Sequence, residues 1–221
     1  MTRALIIGAN RGIGLELCRQ LAGRGDRVFA ACRRSSAELE VVPGIEIHEG
    51  VDVTAPETVK ALADKLGDGA LDLLVIVAGI LKRVDLDGFD AAVVREQFEV
   101  NALGALSTAV TLLPCLEPGG KIGLLTSRMG SIGDNTSGGS YGYRMSKAAL
   151  NIAGRSLALD LRPRGIAVAI LHPGWVQTEM THGSGNIDAA TSAAGLIERL
   201  DELTMESSGT FLHQSGEQLP W

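Results

Sequence analysis

Leu5-Ile-Ile7 is a short apolar run that ends in Gly8-Ala-Asn-Arg-Gly-Ile-Gly14, and residues 15–21 then repeat their apolar positions at helical spacing. Strand, tight turn and helix in that order constrain the chain more than any other stretch of it. Glycines at 8, 12 and 14 remove side chains where the backbone must turn sharply and approach a pyrophosphate, whose charge sits at the positive end of the new helix. The spacing G-x-x-x-G-x-G is a variant of the commoner dinucleotide fingerprint G-x-G-x-x-G. Taken alone it is equally a plain turn. A second strand, residues 27–32, follows at the expected distance and favours a nucleotide site built on Gly8, Asn10, Arg11, Gly12, Ile13 and Gly14.

The end of that second strand selects the cofactor. An acidic residue there bonds the ribose 2′-hydroxyl of NAD, whereas an arginine accommodates the 2′-phosphate of NADP. The strand ends Ala31-Cys-Arg-Arg34 with no carboxylate. Arg33 would lie along the phosphate with Arg34 assisting, and Arg11 adds a positive charge from the other side. NADPH/NADP is the expected cofactor.

Apolar runs near residues 4–7, 28–32, 45–47, 73–78, 122–125, 166–171 and 210–212 alternate with helical stretches. The expected fold class is α/β: one doubly wound Rossmann domain spanning residues 1–221, with about seven mostly parallel strands and helices on both faces. Helices are expected over residues 15–22, 57–66, 91–113, 143–161 and 189–203, with Pro114 and Gly165 marking two of the ends. At 221 residues and 45% hydrophobic content the chain can bury the core such a domain needs.

Tyr143 and Lys147 stand four apart, a spacing that puts a phenol and an ammonium on one helix face. A cation held close favours the phenolate and lowers the phenol's pKa, which makes Tyr143 a proton donor to a carbonyl oxygen or an acceptor from an alcohol. The same spacing also occurs on solvated helix faces, so its meaning depends on the rest of the chain.

Gly8-x-x-x-Gly-Ile-Gly14, Asp52-Val53, Ala78-Gly79, Asn101, Ser127, Tyr143-x-x-x-Lys147 and Pro173-Gly174 follow the order found in short-chain dehydrogenases/reductases, which the chain resembles over nearly its whole length. The segment from Thr126 to Tyr141, the run His172-Pro-Gly-Trp-Val-Gln-Thr-Glu-Met180 and the ending Gly216-Glu-Gln-Leu-Pro-Trp221 are similar to the C-factor/sniffer-type carbonyl reductases within that family. The resemblance implies a catalytic tetrad. Tyr143 exchanges the proton, Ser127 bonds the substrate oxygen, Lys147 holds the nicotinamide ribose and lowers the Tyr143 pKa, and Asn101 bends its helix and holds a water leading to Lys147. It also implies that Asp52 and Val53 meet the adenine, that Ala78 and Gly79 lie by the adenosine ribose, and that Pro173, Gly174, Val176 and Thr178 line the nicotinamide. Asp52 is equally a strand-end cap, Pro173-Gly174 a turn and Thr178 a helix N-cap.

Two departures from the family pattern stand out. The Gly/Ser/Asn-rich stretch of residues 131–140 lengthens the interval between Ser127 and Tyr143, and leaves Ser131 as the alternative to Ser127. Ile76-Val-Ala-Gly79 stands where the family generally writes Asn-Asn-Ala-Gly, which bears on local stability and cofactor affinity more than on reaction class.

The acidic balance, a formal charge of −6, offers no basic footprint, so nucleic acid is not an expected partner. Cys18, Cys32 and Cys115 are odd in number and set in apolar contexts, and the four histidines lack ligand spacing, so neither disulfide nor metal is expected. No segment reads as a signal peptide or as a membrane span of about 20 apolar residues, which leaves a cytoplasmic enzyme as the expectation. The short segment 179–188, with Gly183-Ser-Gly-Asn186, reads as a mobile lid over an open cleft for small-molecule carbonyl substrates: aldehydes, ketones or quinones. Ile132, Trp175, Met180 and Trp221 are candidate apolar walls, or for the two tryptophans, core. The expected activity is NADPH-dependent carbonyl reduction, set against an NADP(H)-binding regulatory protein with little turnover and an alcohol dehydrogenase working oxidatively. The chain is either a monomer or a homodimer paired through the helices of Asn101 and Tyr143.

Overall fold

Alternation along β1 (Arg3–Ile7) sends Leu5 and Ile7 to one face of its sheet and Ala4 and Ile6 to the other, and all four are buried. A strand apolar on both faces belongs in a sheet covered on both sides. The computed structural model, which describes residues 1–221, has that arrangement. After β1 come α1 (Gly12–Gly23), β2 (Arg27–Ala31), a one-turn helix α2 (Ala37–Glu40), β3 (Ile45–His48), α3 (Pro56–Leu66) and β4 (Leu71–Ile76). The chain continues through α4 (Ala91–Phe98), α5 (Ala105–Leu112), β5 (Leu116–Leu125), α6 (Tyr141–Asp160), β6 (Ala167–His172), α7 (Ala189–Glu202) and β7 (Phe211–His213).

The strands lie in the order β3-β2-β1-β4-β5-β6-β7, and every neighbouring pair is parallel. Ile7 stands opposite both Ala31 and Ile76, so the carboxyl ends of the three central strands finish at one rim. The order reverses at β1, where β2 and β3 build outward on one side and β4 returns on the other. Such a switch point leaves a crevice outside the strand ends.

Two cores sandwich the sheet. On one face Leu5, Ile7, Leu74 and Ile122 meet Leu62 of α3, Ala109 of α5 and Leu157 of α6. On the other, Ala4, Ile6 and Val75 meet Leu17 and Leu21 of α1 and Leu196 and Leu200 of α7. Each such side chain contributes roughly 1.5–3 kcal/mol of burial, so the sheet stands on both layers.

All seven strands fall where the apolar runs place them, and the expected mostly parallel sheet is wholly parallel. The helix expected over residues 91–113 is not one regular helix. Asp90 caps α4 through Oδ1, which accepts from the Ala92 and Val93 amides, and a π-helical turn (Glu99–Gly104) joins α4 to α5. Such wide turns gather at functional positions, and this one holds the fully buried Asn101. Within Ala91–Cys115 an 18-residue window reaches mean hydropathy 1.3, enough by length and composition alone to cross a bilayer, where no segment was expected to approach a span. Ala105, Ala109 and Leu112 bury its apolar face against the sheet core.

The fit of α6 to the sheet depends on Gly154, where a Cβ would stand 2.8 Å from Ile170 Cγ1 and 3.0 Å from Leu124 Cδ1. Gly154→Val is expected to destabilise the protein by about 1–3 kcal/mol through overpacking. Urea unfolding checks this, and a variant as stable as the parent would refute the close contact.

Candidate active site

The crevice outside β1 and β4 is a cleft of about 430 Å³. Gly8 ends β1 with φ +92°, and a Cβ there would come within 2.8 Å of the Ala78 nitrogen, so glycine is what lets the turn lie against the end of β4. No side chain caps α1, and the amides of Gly12 and Ile13, which line the cleft, have no backbone partner. That helix end suits an anion. Asn10 also lines the cleft and is fixed by Ser36 Oγ, which donates to its carbonyl at 2.6 Å. Gly14 does not line it. A Cβ there would meet the Gly8 carbonyl at 2.1 Å, so Gly14 serves the packing of helix against turn.

Arg11 and Arg33 both border the cleft, and no acid follows β2 until Glu38 in α2. Arg33 is largely exposed, with Nη1 3.9 Å from Asp52 Oδ2. Arg34 lies off the cleft. Arg11 forms an ion pair with Glu179, reaching across from the glycine turn to the loop after β6. Asp52 and Val53 lie on the cleft wall. Burial pushes the Asp52 carboxyl up, but two hydrogen bonds from Thr54, with Arg33 nearby, outweigh it and hold the pKa below the usual value. Asp52 is therefore a cap, as its alternative reading has it, while still facing the cleft.

Ala78, Gly79, Pro173 and Thr178 line the cleft; Gly174 and Val176 do not. Val176 is buried and bridges to Ile187, and Gly174 packs against Ile187 and His213. Thr178 also caps the short turn Glu179–Thr181, whose Thr181 hydroxyl accepts from the Thr178 amide at 3.0 Å. The segment expected to be a mobile lid is tied down: the Asn186 amide donates to the Trp175 carbonyl at 2.7 Å and the Gln177 amide to the Ile187 carbonyl at 2.9 Å. Backbone pairing across the segment offsets the freedom that its glycines would otherwise give it. Of the candidate walls, Met180 lines the cleft, Trp175 and Ile132 are exposed, and Trp221 stacks on Phe211 with ring centroids 5.5 Å apart.

The four tetrad residues converge at the inner end of the cleft, where Tyr143 and Lys147 line it and Asn101 and Ser127 stand behind it. Asn101 donates through Nδ2 to the Ile80 carbonyl at 2.8 Å and to Ser146 Oγ at 3.0 Å, and accepts from the Ile80 amide at 2.7 Å. Its side chain thus clamps the backbone just past Gly79. Lys147 Nζ donates to the Leu125 carbonyl at 2.8 Å and lies 5.8 Å from the Tyr143 ring centroid. A Cβ on Gly130 would meet the Lys147 backbone at 2.7 Å, so glycine there lets the Ser127 turn press directly on α6. Ser127 stands close enough to the Tyr143 hydroxyl to lower the phenol's pKa. Ser131 is engaged elsewhere: its Oγ donates to the Trp221 main-chain oxygen at 3.1 Å and accepts from the Asp134 amide at 3.0 Å.

Burial pushes the Tyr143 phenol up to about 12, opposed by the neighbouring Ser127, and pushes the Lys147 ammonium down to about 8. Desolvation governs both. The depression of the Tyr143 pKa expected from Lys147 does not appear: burial raises it, and the group that lowers it is Ser127. Tyr143 is therefore fully protonated at neutral pH, the state a proton donor needs. Leu125 and Thr126, Ile80, Glu96 and Glu179 also line the cleft. Leu125 contributes a backbone carbonyl, which no residue pattern announces.

Over residues 2–188 the chain matches the short chain dehydrogenase family. It is 43% identical to a 1-hydroxy-2-glutathionyl-2-methyl-3-butene dehydrogenase of Rhodococcus sp. (strain AD45), with 100% of both chains covered. It is 42% identical to the C-signal of Myxococcus xanthus over 165 residues, 73% of this chain and 99% of that one. Among solved structures, the carbonyl reductase Sniffer of D. melanogaster matches with TM-score 0.93 and 30% identity, covering 100% of both chains. NADPH-bound carbonyl reductase from chicken fatty liver matches with TM-score 0.91 and 31% identity, covering 100% of this chain and 99% of that one.

The lowered Lys147 pKa has a measurable cost. Below about pH 8 the folded protein carries a buried charge. Between about 8 and the ordinary 10.5 the unfolded chain binds more protons, so stability contributed by this group rises with pH. Lys147→Met is expected to be about 2 kcal/mol more stable than wild type at pH 7, after loss of the Leu125 hydrogen bond, with the gap closing towards pH 10. Urea unfolding at pH 7 and 9.5 measures it; a less stable variant at pH 7 would refute the desolvation account.

Proposed function

The chain belongs to the short-chain dehydrogenase family of oxidoreductases, and on that premise we propose that it is an NADPH-dependent carbonyl reductase whose single domain, residues 1–221, holds both cofactor and substrate. The observation that carries the reading is the buried Tyr143 beside Lys147, with Ser127 next to its hydroxyl, at the inner end of an arginine-bordered cleft. The residues fit the cofactor: free α1 amides for the pyrophosphate, Arg11 and Arg33 for the 2′-phosphate, and no carboxylate at the end of β2 to repel it. Bound NADPH supplies the hydride.

The chain's own groups supply the rest. Ser127 and Tyr143 direct hydroxyls at the carbonyl oxygen, where negative charge develops as its carbon is reduced. The Tyr143 O–H bond breaks and its proton completes the alcohol, leaving a phenolate to be reprotonated. Lys147, charged below about pH 8, stabilises that phenolate. Asn101 keeps the Ile80 backbone in place beside Gly79 and bounds the space into which Lys147 reaches. The substrate is an aldehyde, ketone or quinone, and the three cysteines, all free and buried, suit a reducing cytoplasmic setting.

Two other readings have specific support. Likeness to the C-signal supports a regulatory protein that binds NADP(H) with little turnover, and likeness to the Rhodococcus dehydrogenase supports the oxidative direction. Following NADPH and NADH absorbance separately over aromatic aldehydes, diketones and quinones distinguishes them. Wild type is expected to turn over with NADPH, and Tyr143→Phe to lose about 10²–10⁴-fold in kcat. Arg33→Glu is expected to weaken NADPH binding at least about tenfold while sparing NADH. Tight NADPH binding without turnover would favour the regulatory reading, and better use of NAD the oxidative one.

We read the assembly as a homodimer. Met145, Ile152 and Leu159 are exposed at seven-residue spacing along the outer face of α6, near exposed Leu103 and Val110. Two copies laid antiparallel would cover this stripe, although Arg155, Asp160 and Arg162 keep its surroundings polar. Size-exclusion chromatography with light scattering is expected to give twice the chain mass; a monomer refutes the pairing.

A further inference from the structure

Residues 216–221 touch neither the cofactor cleft nor the tetrad, yet the chain spends several interactions on them. Past β7 the backbone turns back along the strand it has just left: the His213 amide donates to the Glu217 carbonyl at 2.8 Å and the Leu219 amide to the Phe211 carbonyl at 2.9 Å. Leu219 is buried with Ile170 and Phe211 in a small core of their own, and the Trp221 ring lies on Phe211 at an interplanar angle of 23°. These contacts fix where the Trp221 main-chain oxygen stands. It accepts from the Gly133 amide at 2.8 Å and from Ser131 Oγ at 3.1 Å, and Ser131 is itself buried. Glu217 accepts from Arg128 Nη2 at 2.7 Å, and Arg128 Nε lies 3.4 Å from Asp134.

Ser127 belongs to the same turn. Its Oγ accepts from the Met129 amide at 3.1 Å, so the direction of the hydroxyl is set by the one-turn helix Arg128–Gly130. That turn is held at two points, by Gly130 against α6 and by residues 131–134 against residues 216–221. A reacting group is only as well aimed as the segment that carries it, and misplacement by about 1 Å costs up to about 100-fold in rate.

We propose that Trp221, through Ser131 and Gly133, is a positioning residue for Ser127; the proposal rests on the carbonyl-reductase reading above. Trp221 does this by holding its own main-chain oxygen in place, with its ring as the anchor. The Arg128–Glu217 pair is partly exposed and screened, and contributes less.

The test is a double-mutant cycle on NADPH-dependent turnover. Trp221→Ala is expected to lower kcat about tenfold with KM for NADPH unchanged, Trp221→Phe to restore most of the loss because it keeps the stack, and Ser131→Ala to lower kcat in the same sense by less. In a Ser127→Ala background, Trp221→Ala is expected to change kcat by less than about twofold, since its route of action is gone. An equal loss in both backgrounds, or wild-type kcat in Trp221→Ala, overturns the proposal. Amide hydrogen exchange of residues 128–134 provides the readout that does not depend on turnover. Faster exchange of Gly133 in Trp221→Ala supports the anchor, and unchanged exchange overturns it. A wild type that binds NADPH without turnover refutes the reductase reading instead, and leaves exchange to decide the anchor.

Discussion

The site depends on how closely α6 lies against the turn that follows β5. Gly130 allows backbone to touch backbone at Lys147, Thr126 Oγ1 bonds Asn151 Oδ1 at 2.6 Å one turn further along, and Lys147 Nζ reaches back to the Leu125 carbonyl. That contact excludes water from the base of the cleft. It brings Ser127 to Tyr143 and strips both Tyr143 and Lys147 of hydration, so the geometry and the proton affinities of the site share one origin.

The fold was legible because its signals are redundant. Each strand announces itself as a short apolar run, and β1, β4 and β6 are buried on both faces, which leaves a doubly covered parallel sheet as the consistent arrangement. The interruption between α4 and α5 was harder to see. A π turn has no composition of its own, and the cue was Asn101 alone, known through family resemblance rather than through periodicity. The one-turn helix α2 left no periodic trace in four residues.

At the site, residue types and spacing were legible where the chemistry belongs to side chains, and illegible where it belongs to main chain or burial. Tyr143, Lys147 and the glycine turn stood out. Gly174 and Val176 were expected at the cleft and instead pack beneath the loop after β6, because a motif fixes the path of the chain and not which residue of it faces inward. The Tyr143 pKa moved upward rather than downward for a similar reason. Sequence spacing reports which charges are neighbours, while the extent of dehydration is a property of the packed whole. The fixed loop over residues 179–188 belongs to the same class, since its glycines were visible and its backbone partners were not.

One feature of β7 bears on the molecule in the company of its own kind. A parallel sheet ends in strands with unpaired edges, which are templates for another chain to extend. Here β7 has three residues, and the returning backbone pairs with its outer edge through Leu212 opposite Gln218. The far edge, β3, has four residues, with the exposed carboxylate of Glu46 set along it. Both margins of the sheet are thus short, one covered and the other charged, and runaway strand addition finds little purchase at high concentration.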